Sequence, residues 1–349
     1  MKTLTKRGVI KVDNLTWNQK DDVVTIIMNK WQKRGFPHYN LSKDQQLKEL
    51  NVFQKYDRSN LIENDIIKQT LHAIGLAWHY FPHHWEVRTK NMKTALDVWN
   101  DETILRKAIH SRIKWGGYQI INNEPDLSEA YMRKALRTFS GVQRVSNFRP
   151  SAAAAIYDRY AGDGIVWDMS CGYGGRLLGA IVSDKVKHYI GTEPATLTFN
   201  GLQQMVKDYG QGKNINIIKR GSEEGIEDLI NKNVDLCFTS PPYFDTERYS
   251  NEPTQSALKY PNVDSWNDNF LRATIIHARK VLKPTGKLVL NVANVKSHKN
   301  LENDTIRMAQ EEGFVLIETL QLALSSISKG GFKYEPVFVF NLESQKKKI

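Results

Sequence analysis

The stretch Phe238-Thr239-Ser240-Pro241-Pro242-Tyr243-Phe244 sets a hydroxyl, two consecutive prolines and aromatic rings directly after the apolar run Val234-Asp235-Leu236-Cys237. Each proline fixes φ and removes a backbone donor, so Ser240, the Pro241 carbonyl and Tyr243 are held in a set geometry with acceptors left unpaired. A corner of that kind holds a flat, polar ring. A second set lies upstream, where Val166-Trp167-Asp168-Met169-Ser170-Cys171-Gly172-Tyr173-Gly174-Gly175-Arg176 reads as a strand and a glycine-rich turn opening a helix over 177–182. Glycines let a backbone approach a nucleoside closely. In an open α/β sheet this turn lies beyond the carboxyl end of the first strand, where ligands bind. Glu193 follows the next apolar run, 25 positions after Asp168, where a nucleotide site places an acidic residue to accept from ribose hydroxyls.

Together these residues resemble the methyltransferases that modify exocyclic amines of nucleobases using S-adenosylmethionine (SAM), whose catalytic tetrapeptide Ser240-Pro241-Pro242-Tyr243 matches. The resemblance spans roughly residues 147–342 and implies SAM as cofactor. It assigns Asp168, Gly172, Gly174, Gly175 and Glu193 to the cofactor, with Glu193 on the ribose. Ser222 and Glu223, in Gly221-Ser222-Glu223 after the third strand, stand where relatives contact adenine. Phe148, in Phe148-Arg149-Pro150-Ser151, stands near the methionine part. One departure is Ser170, where the family often carries phenylalanine.

The implied chemistry suits the corner. An exocyclic amine is a poor nucleophile because its lone pair is delocalised into the ring. Hydrogen bonds from the amine to Ser240 and the Pro241 carbonyl reduce that conjugation as the methyl arrives. Tyr243 stacks on the base and Phe244 assists. Placing the reactants in line supplies much of the remaining acceleration, so no strong general base is needed, and the base leaves its helix to get there. Downstream, 245–269 is polar and aromatic, with Arg248 and Tyr249 expected to line one wall of the base pocket and to touch the strand.

Rival centres fare worse. Carbon-5 cytosine methylation needs a cysteine nucleophile, but Cys237 lies inside the predicted strand, and both it and Cys171 read as packing residues. Asp235, at the start of that strand, is on the far side of the sheet from the loop. His79, His83 and His84 suggest a metal, yet Pro82 interrupts their spacing and no cysteine is near, so no metal site is expected.

The positioning elements fall into two parts. Runs at 165–169, 188–191, 215–218, 234–239 and 288–292 alternate with helical segments, as in a parallel doubly wound sheet. The runs at 315–324 and 336–340, separated by little beyond Gly330-Gly331, imply a hairpin-like last pair. The fold class is therefore α/β: a Rossmann-like class I SAM methyltransferase fold with a seven-stranded sheet whose last strand is antiparallel, over 146–349. Residues 1–145 read as a mainly helical domain. One helix runs over 101–115, with Ile104, Leu105, Ala108, Ile109 and Ile113 on one face and Gly116-Gly117 at its end. A second opens at Asp126 with Glu129 as capping-box partner, its Leu127, Met132 and Leu136 opposing Arg133, Lys134 and Arg137.

Charge separates the same two parts. Of the net +11, residues 1–150 hold 25 Lys+Arg against 15 Asp+Glu, and the remainder is nearly neutral. A basic domain rich in aromatics is expected to hold a phosphate backbone, because phosphate neutralisation dominates sequence-independent nucleic-acid affinity. The lysine-rich end, Lys346 to Lys348, reads as a solvated tail. With two cysteines, no apolar span of membrane length and no signal-peptide pattern at the start, a cytoplasmic setting is expected.

The expected activity is DNA methylation at an exocyclic nitrogen, with recognition by residues 1–145. Serine at the first motif position resembles the cytosine-N4 enzymes more than the adenine-N6 ones. Alternatives are an RNA amino-methyltransferase, acting on guanine N2 or adenine N6, and a catalytically silent SAM-fold subunit that binds nucleic acid. The recognition sequence, the oligomeric state and a restriction partner stay open.

Overall fold

The apolar runs read from the sequence form one mixed sheet in the computed structural model, which describes residues 9–12, 15–88, 92–326 and 332–343. We number its main strands β1 (Gly164–Asp168), β2 (Val186–Thr192), β3 (Asn214–Ile218), β4 (Val234–Thr239), β5 (Leu282–Asn291), β6 (Phe314–Ser326) and β7 (Phe332–Leu342). Their spatial order is β3-β2-β1-β4-β5-β7-β6. Strands β1 to β5 pair in parallel, and β7 runs antiparallel between β5 and β6. This is the Rossmann-like class I arrangement expected from the sequence, but two further short strands bring the sheet to nine strands among the described residues rather than seven. The order reverses at β1 and β4, so the loops leaving these two strands flank the crevice in which such sheets bind ligands. Gly330-Gly331 and the lysine-rich tail lie outside the described residues.

Helices follow from capping and burial. Helix α1 (Pro150–Tyr160) begins with proline at its first turn, where the missing N–H costs nothing. Helix α2 (Gly175–Val182) is buried along its whole length. Helix α3 (Thr196–Tyr209) follows β2, α4 (Ala273–Val281) precedes β5, and α5 (Leu301–Glu311) precedes β6. Trp167, Cys237, Leu288, Leu290 and Phe340, all fully buried, form the middle of the core on one side of the sheet.

The chain divides into two compact units, residues 1–40 with 82–145, and residues 41–81 with 146–349. Residues 41–81, read from the sequence as part of the first 145, cluster with the sheet instead. The strand Ile66–Ile67 extends the sheet beyond β6, pairing with Gln321 and Leu322, and Ile62–Glu63 pairs with it in turn. Side chains fix the rest of the segment: Arg58 pairs with Asp158 at 2.9 Å, Tyr80 donates to Asp208 at 2.7 Å and Tyr209 donates to Gln46 at 2.5 Å. This segment is neutral, with five basic and five acidic residues, so the other unit concentrates the charge at 19 Lys+Arg against 10 Asp+Glu.

That basic unit is mainly helical with a small sheet of three short strands. Its helix Glu102–Gly116 is capped by Asp101 and buries Leu105, Ala108, Ile109 and Ile113, as its periodicity predicts. The other helix is corrected: it spans Glu129–Thr138 after Ser128, and Asp126 sits in the short strand Glu124–Asp126. Asp126 is fully buried and accepts from Trp31 at 3.1 Å, from Arg34 at 2.6 Å and from the Leu127 N–H at 2.8 Å. A buried carboxylate goes to its strongest donors rather than to a helix end. Among the described residues no helix is long and apolar enough to cross a membrane.

Candidate active site

Asp168, the last residue of β1, lies in register with Phe238 of β4. The glycine turn and the proline corner therefore leave neighbouring strands at the same edge of the sheet. The turn is built for close approach. Gly172 has φ of +55°, and a Cβ there would meet nothing nearer than the Ser170 carbonyl at 3.9 Å. Gly175 is required for the opposite reason, since a Cβ would come within 1.8 Å of the Phe148 carbonyl. Phe148 itself packs edge-on to Phe238 with ring centroids 5.4 Å apart.

Asp168 is fully buried and does not face solvent. It accepts from Arg176 Nε at 2.9 Å and from the Tyr189 hydroxyl at 2.6 Å. Arg176, buried at the start of α2, also donates to the Ser170 carbonyl. Burial opposes the Arg176 charge, but the Asp168 carboxylate more than offsets it and raises the guanidinium's pKa. This pair fixes the turn from beneath, and Arg176 and Tyr189 were not among the residues singled out by the sequence, where an arginine after three glycines has no distinguishing pattern.

Glu193 ties the turn to β2. Its carboxylate accepts from the Gly172 N–H at 3.1 Å and the Ala195 N–H at 2.9 Å. Burial pushes its pKa up to about 7, against the downward pull of those two N–H groups. Beyond β3, Ser222 is buried with its hydroxyl 2.7 Å from that of Thr274 on α4. The Glu223 side chain is 3% exposed and pairs with Lys259 through Oε1 at 2.6 Å. Its Oε2 is buried without a hydrogen-bond partner.

The corner after β4 is pinned through its tyrosine. The Tyr243 hydroxyl lies 3.4 Å from Ser240 Oγ and donates to the Asn291 carbonyl at 3.2 Å, with Glu335 Oε2 at 3.4 Å. Burial, then the Glu335 charge, raises the phenol's pKa. Thr239 Oγ1, just before the corner, is buried with no partner. Phe244 corrects the expectation that it assists stacking. It has φ of +52°, is 7% exposed and packs on Trp266 within the core, so its ring anchors the loop from behind.

The stretch after the corner, expected to line one wall of a base pocket, reaches across to the segments that follow β2 and β3. Glu252 accepts from the Thr196 N–H at 2.9 Å and its hydroxyl at 2.7 Å, at the start of α3. Lys259 donates to Glu223 at 2.6 Å and to Glu224 at 2.7 Å. Residues 245–262 thus form a strap across the ends of β2 and β3. Tyr249 lies with its ring 6.1 Å from that of Tyr173 in the glycine turn, while Arg248 is exposed.

The rival centres are structural. Cys171 and Cys237 are buried, and burial holds both thiols well above their ordinary pKa. Asp235 accepts from the Ile165 N–H at 2.7 Å and pairs with Lys283 at the opposite end of β4. His79 accepts from the Leu41 N–H at 3.2 Å, and among the described residues no cluster fit to hold a metal exists.

In the basic unit, Arg133 lies over the Tyr39 ring at 4.2 Å and donates to the His38 carbonyl at 3.1 Å. Arg137 lies over Trp85 at 5.8 Å and donates to the Val145 carbonyl at 2.9 Å. Both arginines serve the unit's own packing, whereas Lys107, Lys114 and Lys134 are exposed. Trp31 and Trp85 are core, but Trp115 is 74% exposed beside Lys114.

No family model matches this chain. No curated protein matches it. Among solved structures it is similar to precorrin-6y C5,15-methyltransferase from Geobacter metallireducens at 14% identity, over 56% of this chain and 87% of that one, with a TM-score of 0.38. A putative RNA methyltransferase from Pyrococcus horikoshii aligns at 14% identity over 57% and 85%, with a TM-score of 0.37. Magnesium protoporphyrin IX methyltransferase from Synechocystis, solved with bound SAM, aligns at 13% identity over 56% and 78%, with a TM-score of 0.38. The fold assignment rests on the strand order of this chain itself.

Proposed function

We propose that the protein is a SAM-dependent DNA methyltransferase acting on an exocyclic amino nitrogen of a flipped base, cytosine N4 before adenine N6. The observation that carries this reading is the shared register of Asp168 and Phe238, which sets the glycine turn and the Ser240-Pro241-Pro242-Tyr243 corner side by side at one sheet edge.

The residues present fit SAM. Gly172 leaves open space beside the turn, and Glu193, with two backbone donors, keeps lone pairs for ribose hydroxyls. The partnerless Glu223 Oε2 is a buried acceptor that a ligand amine or hydroxyl would satisfy, since leaving it bare costs about 1–3 kcal/mol. Bound there, SAM supplies an electrophilic methyl group on sulfonium.

The chain does the rest. Ser240 Oγ and the Pro241 carbonyl accept from the amine, withdrawing its lone pair from the ring. The Tyr243 ring, fixed through its hydroxyl, offers the stacking face. The basic unit supplies phosphate contacts through its exposed lysines rather than through Arg133 and Arg137. Electrostatics of this kind fix position and leave the sequence to be read by other contacts.

Incubation with methyl-labelled SAM and duplex DNA, single-stranded DNA or total RNA, followed by digestion to nucleosides, tests the reading. Label in N4-methylcytosine or N6-methyladenine from DNA is expected. Label in RNA alone replaces DNA with RNA as substrate, and SAM binding without any label leaves a silent nucleic-acid-binding subunit.

A further inference from the structure

We propose that Glu335 accepts the proton released by the methylated amine, reached through the hydroxyls of Ser240 and Tyr243. The inference rests on the amino-methyltransferase reading above and extends it to a residue outside the tetrapeptide.

Strand direction places the carboxylate. Because β7 is antiparallel, its early residues lie at the edge where β4 and β5 end. Val337 is paired with Asn291, and Leu290 with Thr239. Glu335 therefore arrives beside the corner although 92 residues separate it from Tyr243. Ser240 Oγ, Tyr243 OH and Glu335 Oε2 follow one another at 3.4 Å and 3.4 Å. Such contacts are long in a ligand-free site and tighten when a substrate is held. The other acceptors of the Tyr243 hydroxyl are the Asn291 carbonyl at 3.2 Å and its side-chain oxygen at 3.5 Å. Amide oxygens do not hold a proton near neutral pH, so Glu335 is the base at the end of the chain.

The transfer step needs no strong base, but the proton it releases needs an acceptor. Transfer forms one nitrogen–carbon bond as one carbon–sulfur bond breaks, and the nitrogen then carries one proton more than the neutral product. That proton passes to Ser240 Oγ, the serine proton to Tyr243, and the tyrosine proton to the Glu335 carboxylate. The positive charge lost from sulfur and the negative charge lost from Glu335 balance, and the carboxylic acid later releases its proton to water. Burial raises the Glu335 pKa, which strengthens it as a base; Lys333 and the Tyr243 hydrogen bond act the other way, and Glu302 adds to the rise. On the Tyr243 side, Arg176 opposes the effect of Glu335.

Glu335 acts through other side chains, so the test separates relay from scaffold. With ¹³C-carboxyl-labelled glutamate, the Glu335 titration in SAM-free protein is expected to move upward by about half a pH unit or more in Tyr243→Phe, because a donor to the carboxylate is lost. An unmoved titration overturns the relay, whether or not the protein methylates anything. In single-turnover transfer, Glu335→Gln is expected to slow the reaction about a hundredfold, to remove the acid limb of the pH profile and to leave SAM affinity unchanged. Glu335→Asp recovers part of the rate, and Glu335→Gln adds no further loss in a Tyr243→Phe background. A full rate with an intact acid limb in Glu335→Gln refutes the proposal. A wild-type protein that labels no nucleic acid instead refutes the function, and the titration still decides the contact.

Discussion

Gly172 donates its backbone N–H to the Glu193 carboxylate at 3.1 Å, joining the turn after β1 to the end of β2 through a buried acid. Under the proposed function the same carboxylate holds ribose hydroxyls, which would couple its ionisation and the turn geometry to ligand affinity.

With its pKa pushed up to about 7 by burial, folded Glu193 keeps a proton that the unfolded chain loses at lower pH. Its contribution to stability is therefore largest in acid and is lost as pH rises from the ordinary carboxylate range through about 7. Hydroxyl donors favour the charged form, so SAM affinity is expected to rise from pH 6 to pH 8. Calorimetric titration across that range checks this, and Glu193→Gln is expected to bind weakly with a flat pH dependence.

Ser240→Ala and Tyr243→Phe leave the Asp168–Arg176 pair and the glycine turn intact. Each is expected to bind SAM normally and to lose transfer about a hundredfold, measured by single-turnover labelling. Phe244→Leu tests the other side of the loop: it weakens the packing on Trp266 and is expected to appear in thermal stability.

Asp168→Asn leaves the Arg176 charge buried without its partner. The expected cost is about 3–5 kcal/mol, read from urea denaturation. Removing both charges, as in Asp168→Asn with Arg176→Met, is expected to recover a substantial part of that loss.

Arg133→Gln and Arg137→Gln are expected to lower thermal stability with little change in the salt dependence of DNA binding, because both side chains are committed inside the unit. Lys107→Gln, Lys114→Gln and Lys134→Gln together are expected to flatten the log–log salt slope, by about one unit for each phosphate contact removed. Binding measured between 50 and 200 mM salt, on the order of the range where such losses are large, distinguishes the two sets.

Lys259→Met unfastens the strap from Glu223 and Glu224, leaving Glu224 with the Gly221 N–H at 3.0 Å. Burial works against the Lys259 charge, yet those two hydrogen bonds raise its pKa, so the pairing persists across ordinary pH. SAM dissociation is expected to quicken about tenfold, the equivalent of one hydrogen bond to a charged group, and stopped-flow displacement measures it.

The sequence by itself determined the main strands of the sheet and the glycine turn and proline corner that follow two of them. Val234 to Thr239 reads as a mainly apolar run, and every residue of it, Asp235 included, is buried; two prolines after it dictate a rigid corner in any context. The glycine turn and Glu193 were legible for the same reason, since backbone conformation and local spacing are properties of short segments. Tertiary structure alone decided what lies beyond that reach. The antiparallel course of β7 brings Glu335 to Tyr243, and burial turns Arg176 inward onto Asp168. Residues 41–81 join the sheet because the Tyr80 hydroxyl and strand Ile66–Ile67 find partners more than a hundred residues away in sequence. Asp126, Arg133 and Arg137 carry charges whose use depends on which donor or ring is nearest in space. Those pairings are set by long-range packing, and no local pattern encodes them.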